Sequence, residues 1–297
     1  MRVEVPDEAA GQRLDHLLAE PLGSRSRAQR LIDAGRVTVN GEARPKRHLL
    51  APGDVVEVAD DAPPPAAEAD PDAAAIELRI AYEDEALLVV DKPAGLVVHP
   101  AAGHWTGTLA QALAARGTAA ERGGLVHRLD RDTSGLLLAA KDDITLRALQ
   151  AELRERRVER EYLALVEGRP PARSGTIDAA IGRDRRDRTR HSTDTDHPRA
   201  AVTHFEIAEA LPRATLLRVR LETGRTHQIR VHLQAIGHPV VGDPDYGPPP
   251  AREAYGLTRQ FLHAARLAFE HPETGERVEL RSELPEDLAA ALRRAGG

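Results

Sequence analysis

A linker-like segment divides the chain into a short N-terminal part and a long remainder. Residues 60–75 contain three consecutive prolines, several alanines and aspartates, and no bulky apolar side chain. Such a composition buries too little apolar surface to offset the entropy lost when a backbone becomes ordered. We therefore predict a compact module over residues 1–60, an acidic linker rich in proline and alanine over 61–75, and a main domain over 76–297.

The composition narrows the class of protein. The chain has 297 residues, of which 41% are hydrophobic, and this is enough for one large domain and one small one. It has no cysteine, which excludes disulfides, thiolate metal ligands and cysteine nucleophiles and fits a reducing compartment. No apolar run approaches the roughly 20 residues of a membrane span, and the first residues lack a signal-peptide core. These features predict a cytoplasmic protein without membrane contact.

Charge is unevenly distributed along the chain. The net charge of −6 argues weakly against nucleic-acid binding, but the distribution of charge matters more than its sum. Residues 24–48 hold seven basic side chains against two acids, and residues 183–190 hold five arginines against two aspartates. Between these two basic blocks, residues 60–77 hold six acids and no base.

The N-terminal module has the pattern of two short helices followed by a small hairpin. Gly35 is suited to end the second, basic helix, and Asn40-Gly41 is a strong hairpin turn. The predicted elements are a helix through Leu14, Leu17 and Leu18, a helix over Ser26–Ala34, and strands over Val37–Val39 and Val55–Val58.

This order of elements, over residues 12–58, resembles the RNA-binding module first seen in a small-subunit ribosomal protein. The similarity lies in Arg13-Leu14-Asp15, in the start of the basic helix at Ser24–Ala28, in Gly35–Gly41 and in Pro52-Gly53-Asp54. The resemblance implies that basic side chains of the module contact RNA, and the alternative is a solvated helix face. The candidate RNA contacts are Arg25, Arg27, Arg30, Arg36, Arg44, Lys46 and Arg47.

The main domain alternates strand patterns with unevenly placed helix patterns. We predict an α+β fold with a large mixed, mainly antiparallel sheet and flanking helices, beside the small N-terminal α/β module. The predicted strands are Ile76–Tyr82, Leu87–Asp91, Leu136–Ala140, Glu161–Val166, Thr203–Ala208, Leu216–Leu221, Thr226–Arg230 and Leu267–Glu270. The predicted helices are Leu109–Ala115, Thr145–Arg156, His232–Ile236 and Leu284–Arg294. The strand at 226–230 competes with a backward extension of the helix at 232, and residues 248–260 are expected to form a variable loop.

The most informative stretch is the undecapeptide His127–Leu137. It carries several charged side chains and a Thr-Ser-Gly turn directly before the apolar run Leu136–Ala140. A buried strand rarely carries so many charges, and a solvated loop is rarely followed by such an apolar run. The pattern therefore predicts a charged active-site loop that leads into a buried strand.

The same undecapeptide closely resembles the catalytic loop of the RluA-type family of RNA pseudouridine synthases. The resemblance covers residues 12–58 and 76–285, and with the N-terminal module it points to the RluD branch, which acts on large-subunit ribosomal RNA. It implies that the aspartate of His-Arg-Leu-Asp, here Asp130, is the catalytic residue. The further blocks that carry it are Asp91–Pro100, Arg160–Val166, Leu221–Leu233, Gly237–Gly247 and Leu262-His263-Ala264.

The resemblance adds two side chains to the predicted catalytic set. In the family, the tyrosine of the block that corresponds to Arg160–Val166 faces the target base, and Tyr162 holds that position here. The ordinary alternative is a tyrosine of the core. The resemblance also makes Arg230 the partner of Asp130, because an adjacent guanidinium favours an ionised carboxylate. Arg225 is the alternative ion-pair partner, or else a contact to an RNA phosphate.

Three residues are predicted to face RNA during base flipping, which costs a few kcal/mol. Arg128 is the implied wedge that fills the vacated space, and a structural salt bridge to Asp132 or another acid is its alternative. Arg225 and His127 complete this set, although for His127 we favour a role as a hydrogen-bonded organiser of the loop. Asp132 is better explained as a residue that ties the loop than as the second carboxylate of a glycosidase.

The implied reaction needs no cofactor and no metal, because isomerisation of uridine conserves every atom. The chain has no nucleotide-binding motif, and the spacing of His227 and His232 differs from that of a helical zinc motif. The predicted partner is ribosomal RNA, of the large subunit, free or in a pre-ribosomal particle, and the predicted protein is a monomer. A non-catalytic RNA-binding protein of the same fold and an RNA glycosidase are the rival functions.

Overall fold

The chain forms two compact units, Met1–Glu68 and Ala69–Gly297. The computed structural model describes residues 1–22, 25–33, 35–59, 73, 75–100 and 106–297. The predicted linker therefore lies outside the described residues except at positions 73 and 75. In the described ranges, no helix is long and apolar enough to cross a membrane.

Over the described residues, the N-terminal unit is a small antiparallel sheet, with strand order β1-β4-β2-β3, beside two α-helices and one short 3-10 helix. Asn40 and Gly41 both have positive φ, at 53° and 81°, as a tight two-residue hairpin turn between β2 and β3 requires. Its core is aliphatic and includes the buried Leu14, Ala28 and Val56. The elements are β1 Arg2–Glu4, α1 Leu14–Leu17, α2 Arg25–Asp33, β2 Val37–Val39, β3 Glu42–Ala43 and β4 Val55–Val58.

The larger unit is built on a nine-stranded sheet, counted over the described residues. Its strand order is β5-β6-β7-β14-β8-β13-β12-β9, with β15 paired to β14. Within the described pairings of this sheet, β7 with β14 is parallel and the others are antiparallel. The strands are β5 Arg79–Glu83, β6 Leu87–Lys92, β7 Ser134–Ala140, β8 Glu159–Glu167, β9 Ser174–Asp178, β12 Val202–Ala210, β13 Ala214–Leu221, β14 Leu262–Glu270 and β15 Arg277–Arg281. This architecture confirms the predicted α+β fold.

Both faces of the sheet are covered, which explains the apolar run that ends the undecapeptide. All seven residues of β7 are buried. Leu137 and Ala139 belong to the core on one face, whereas Leu136, Leu138 and Ala140 belong to the core on the other. A strand buried on both faces is apolar at successive positions and does not alternate. The helices are α3 Leu109–Ala115, α4 Asp143–Arg154, α5 Gln228–Ala235, α6 Pro249–Tyr255 and α7 Glu286–Gly296.

Two predictions about this unit are wrong. Thr226–Arg230 is not a strand, because α5 begins at Gln228 after His227 adopts a left-handed conformation with φ of 57°. Residues 248–260 are not only a loop, because they contain α6. The strands that the sequence did not predict are β1, β3, the edge strands β9 and β15, and a short hairpin of β10 Gly182–Arg183 and β11 His191–Ser192.

Candidate active site

The loop that carries Asp130 is held from below by a buried lysine. Lys92, at the end of β6, is 1% exposed. Its Nζ donates hydrogen bonds to the carbonyl oxygens of Pro93 at 2.8 Å, Leu96 at 3.0 Å and Arg131 at 2.7 Å. Burial lowers the pKa of Lys92 to about 7. The ammonium group thereby joins the turn after β6 to the residue that follows Asp130.

The other side of the loop is held by residues just before β14. Arg259 Nη1 donates to the carbonyl oxygen of Asp132 at 3.0 Å, and Gln260 Nε2 donates to Thr133 Oγ1 at 3.2 Å. These bonds lie on backbone and hydroxyl groups, so they leave the carboxylate of Asp130 free to face the cleft. That side chain is 16% exposed.

Gly135 lets the loop enter the sheet. It has φ of +109°, and a Cβ atom at this position would collide with the carbonyl oxygen of Ala264 on β14. Gly135 and Ala264 are paired in the parallel β7–β14 register. The Thr-Ser-Gly turn of the sequence is therefore the point at which the loop that carries Asp130 passes close to a neighbouring strand.

We expect Gly135→Ala to lower the free energy of unfolding by about 2–4 kcal/mol, because it combines positive-φ strain with a backbone collision. Urea denaturation measures this loss. Gly275→Ala is the matched control, since Gly275 also has positive φ, of +71°, but a Cβ there would meet nothing within 4 Å. Equal losses in the two variants would show that the close approach at Ala264 carries no cost.

Arg230 lies beside Asp130 but has closer partners. Its Nη1 is 3.4 Å from Asp130 Oδ2. In contrast, Nε lies 2.7 Å from Asp243 Oδ2, and Nη2 lies 2.7 Å from Asp243 Oδ1. Nη2 is also 2.6 Å from Asp245 Oδ2. Although burial opposes it, the contacts with Asp243 raise the pKa of Arg230, so this arginine stays charged. Asp130 therefore faces a guanidinium that other carboxylates hold in place.

Tyr246 connects Arg230 to the basic β10–β11 hairpin. The guanidinium carbons of Arg190 and Arg230 lie 4.8 and 5.0 Å from the centre of its ring, within cation–π range. Its hydroxyl lies 2.9 Å from His227 Nδ1 and accepts a hydrogen bond from the backbone N–H of His191 at 3.1 Å. The second basic block of the sequence is thus anchored next to the candidate site.

A cleft of about 420 Å³ joins the predicted site residues. Tyr162, on β8, lies in its wall and is 4% exposed, and burial raises the pKa of its hydroxyl. The cleft is large enough for a nucleobase with its ribose. The sequence-predicted residues that line it are His127, Arg128, Asp130, Tyr162, Arg225 and Arg230.

Arg128 is exposed at the rim of this cleft and has no ion pair within the described part of the chain. It also borders a second cavity of about 630 Å³. Asp132, the alternative partner considered for Arg128, instead forms an ion pair with Arg131 at 2.9 Å. The geometry thus leaves the Arg128 guanidinium available to a ligand.

His127 and Arg225 have more local contacts. His127 Nε2 accepts a hydrogen bond from the backbone N–H of Leu138 at 3.3 Å, and burial lowers the pKa of His127 to about 3. This geometry favours its interpretation as a neutral organiser of the loop. Arg225 Nε donates to the carbonyl oxygen of Ala200 at 3.0 Å, so Arg230, rather than Arg225, lies next to Asp130.

Comparisons with known proteins assign the family. A family model described as RNA pseudouridylate synthase matches residues 86–235, and one described as S4 domain matches residues 12–56. An uncharacterized RNA pseudouridine synthase of Bacillus subtilis is 45% identical over 98% of this chain and 96% of its own length. The chain belongs to the RNA pseudouridylate synthase family.

Other relatives in this family are similar over most of their length. The ribosomal large subunit pseudouridine synthase D of Pseudomonas aeruginosa is 46% identical, covering 96% of this chain and 92% of its own. The solved structure of human RNA Pseudouridylate Synthase Domain Containing 1 is 32% identical with a TM-score of 0.58, covering 70% of this chain and 84% of that one. The RluA-type resemblance is thereby confirmed, and the chain is an RNA pseudouridine synthase, an isomerase, with an N-terminal S4 domain.

The predicted RNA contacts of the S4 domain differ in their surroundings. Arg25 pairs at 3.0 Å with the buried carboxylate of Asp15, and this contact ties α2 to α1. Arg36 and Arg47 are exposed and have no ion pair among the residues that the structure describes. The remaining positions are Arg44, paired with Glu42 at 2.7 Å, Lys46, paired with Asp33 at 2.8 Å, and Arg27 and Arg30, whose side chains lie outside the described residues.

Sequence reasoning missed several side chains that shape this site. Lys92 had a signal, because a lysine at the end of an apolar strand is unusual. Asp243 and Asp245 lie in a block that the resemblance covered, but nothing in their spacing connects them to Arg230. Arg160 was quoted only as a neighbour of Tyr162, although it too lines the cleft.

Proposed function

We propose that this protein isomerises uridine to pseudouridine in large-subunit ribosomal RNA, with Asp130 as the catalytic carboxylate acting on a flipped-out base. The observation that carries the proposal is the grouping of Asp130, Tyr162 and Arg230 around one cleft in a chain of the pseudouridylate synthase family. Tyr162 and Arg230 are the proposed partners of Asp130 in this site.

The chemistry requires only one carboxylate. The bond from ribose C1′ to N1 of uracil breaks, the ring turns, a bond from C1′ to C5 forms, and C5 loses its proton while N1 gains one. Asp130 can stabilise the positive charge that develops on the ribose, form a bond to it, or remove a ribose proton. For each route the carboxylate must be ionised, and the Arg230 guanidinium lies 3.4 Å from it.

Base flipping gives Arg128 a role at the rim. A uridine within folded RNA reaches a cleft of this kind only after leaving its stack, at a cost of a few kcal/mol. Arg128 is exposed, borders the cleft and has no ion pair in the described ranges. We infer that its planar guanidinium fills the vacated space and stacks on the neighbouring bases.

The large ribosomal subunit is the proposed source of the RNA. The relative from Pseudomonas aeruginosa is named a ribosomal large subunit pseudouridine synthase D, and the similarity to it spans 96% of this chain. The S4 domain and the arginines of the β10–β11 hairpin supply positive charge for the RNA backbone.

Incubation with large-subunit ribosomal RNA that lacks pseudouridine tests the proposal. The expected product is pseudouridine at a small number of positions, detected by nucleoside analysis and mapped in RNA from a deletion strain. Unchanged RNA would instead indicate a binding protein without activity, and abasic ribose would indicate a glycosidase.

The S4 domain is expected to contribute salt-dependent RNA affinity. Arg36→Gln together with Arg47→Gln should reduce the slope of log affinity against log salt by roughly 1.4–1.8, which corresponds to two phosphate contacts. Single-turnover isomerisation at saturating RNA should be unchanged. Binding curves across a salt series measure the slope.

The double variant of Arg169→Gln and Arg173→Gln, exposed residues of the catalytic unit, removes the same charge. An equal slope change in that control would contradict contact through the S4 domain.

A further inference from the structure

Arg160 is a buried cation in the wall of the active-site cleft. It lies on β8 two residues before Tyr162, so both side chains point to the same face of the strand. Arg160 is 7% exposed and lines the cleft together with Tyr162 and Asp130. Its guanidinium is therefore close to the place that the target base would occupy.

No anion neutralises this guanidinium in the part of the chain that the structure describes. Arg230 and Arg259, the other buried arginines described, each pair with a carboxylate, but Arg160 has no ion pair. Its one hydrogen bond among the described residues is long, from Nη2 to the carbonyl oxygen of Leu221 at 3.5 Å. Its Nε is buried without any partner. Arg160 thus retains most of its hydrogen-bonding capacity.

A buried charge without a partner is costly, so the fold alone does not explain Arg160. The lack of a side chain at Gly224 keeps the guanidinium accessible, because a Cβ atom there would lie 3.3 Å from Arg160 Nη1. The turn after β13 therefore leaves room beside the guanidinium. An unneutralised cation that lines a cleft is suited to a ligand on which negative charge appears.

We propose that Arg160 is a catalytic residue that stabilises the uracil anion released when the glycosidic bond breaks. This inference rests on the proposed function. When the bond from C1′ to N1 breaks, its electron pair stays on N1 and the charge spreads to the O2 and O4 oxygens of the ring. The guanidinium of Arg160 donates hydrogen bonds to one of these oxygens. After the ring turns, C5 uses its electrons to bond with C1′, C5 loses its proton, and N1 is protonated.

The timing of this charge decides what Arg160 contributes. Uracil is neutral in the bound RNA and anionic only after bond cleavage, so the interaction strengthens towards the transition state. It should therefore accelerate the chemical step and add little to RNA affinity. A contact to an RNA phosphate would do the reverse, because a phosphate is charged throughout.

The test compares Arg160→Met with the wild-type full-length protein in single-turnover reactions at saturating RNA. Methionine keeps much of the length of the side chain and removes its charge. We expect the rate to fall by about 100–1000-fold, as for removal of one oxyanion-stabilising donor, while the Kd for RNA changes by less than about threefold. Arg160→Lys should recover part of the rate. Arg157→Met, at an exposed arginine of the same region, should leave the rate unchanged.

A second substrate separates charge stabilisation from a structural role. Fluorine at C5 makes uracil a better anion, so cleavage of a 5-fluorouridine substrate depends less on Arg160. We expect the rate loss of Arg160→Met, measured as disappearance of intact fluorouridine, to be at least about tenfold smaller than with uridine. Equal losses on the two substrates would overturn the inference. So would a normal rate with a Kd weakened by more than tenfold, which would identify a phosphate contact.

Stability provides an independent readout. Arg160→Met removes an unneutralised buried charge and leaves no carboxylate unpaired, so its melting temperature should equal or exceed that of the wild type. A marked fall in melting temperature would overturn the inference, because the fold would then depend on the cation. If the wild-type protein forms no pseudouridine, the proposed function fails. If the wild-type protein is active and Arg160→Met retains its rate, only the inference about Arg160 fails.

Discussion

Asp130→Asn is expected to reduce pseudouridine formation by at least about 1000-fold while the protein remains folded. Asparagine keeps the shape of the side chain and removes the negative charge that each of the proposed routes requires. The fold should survive because Arg230 retains the carboxylates of Asp243 and Asp245 at 2.6–2.7 Å, whereas Asp130 is 3.4 Å away. Single-turnover assays at saturating RNA, with thermal unfolding of the same samples, measure both parts of this prediction.

Asp132→Asn is the matched control for Asp130→Asn. Asp132 is also a loop carboxylate, but it is bonded to the neighbouring Arg131, and its backbone carbonyl holds Arg259. The carboxylate therefore contacts only the exposed Arg131, and the bond to Arg259 comes from the backbone. Because an exposed ion pair contributes little, the rate should change by no more than about tenfold. If the two variants lose activity equally, the catalytic carboxylate has been assigned to the wrong residue.

The sequence predicted the parts of the fold that depend on short-range patterns. Leu136–Ala140 is apolar at every position because β7 is buried on both faces, and this apolar run alone predicted a buried strand. Asn40-Gly41 likewise predicted its hairpin, since both residues need positive φ. The position of Asp130 followed from the resemblance, and the structure adds how its loop is held.

The parts that could not be predicted depend on contacts between distant residues. The sequence left a strand at Thr226–Arg230 open against a backward extension of the helix at 232, and the extension is correct. The helix begins only after His227 takes a left-handed conformation, which the sequence does not show. The polar edge strand β9 lacks the alternating apolar pattern of a half-buried strand. Arg160 looked like an ordinary strand arginine because only the three-dimensional structure shows that it has no ion pair among the described residues and that its Nε is buried without a partner.

The same limit applies to the charge balance of the active site. If Arg230 paired with Asp130 alone, the position of the guanidinium would depend on that one carboxylate. In the structure, Asp243 is fully buried and holds Arg230 through two hydrogen bonds of 2.7 Å. The oxygen Oδ1 of Asp243 also accepts the backbone N–H groups of Asp245 and Tyr246. The guanidinium beside Asp130 is thus fixed before substrate arrives.

Arg230→Met is expected to abolish activity and also to lower the free energy of unfolding by about 3–5 kcal/mol. The second effect arises because the carboxylate of Asp243, which is 0% exposed, would be left buried without its cationic partner. Urea denaturation measures the stability, and single-turnover assays at saturating RNA measure the activity. On its own, however, this variant does not separate a catalytic role from a structural one.

The double variant Arg230→Met with Asp243→Asn separates the two roles. It replaces the unpaired buried carboxylate with a neutral amide. The asparagine oxygen can still accept hydrogen bonds from the backbone N–H groups of Asp245 and Tyr246, so most of the lost stability should return. Activity should not return, because Asp130 would still lack the guanidinium that lies 3.4 Å from its carboxylate. Arg225→Met, which alters the neighbouring arginine that bonds to Ala200, should instead weaken RNA affinity without a comparable loss in rate. Recovery of turnover in the double variant would show that Arg230 serves only to neutralise Asp243, and Asp130 would then act without it.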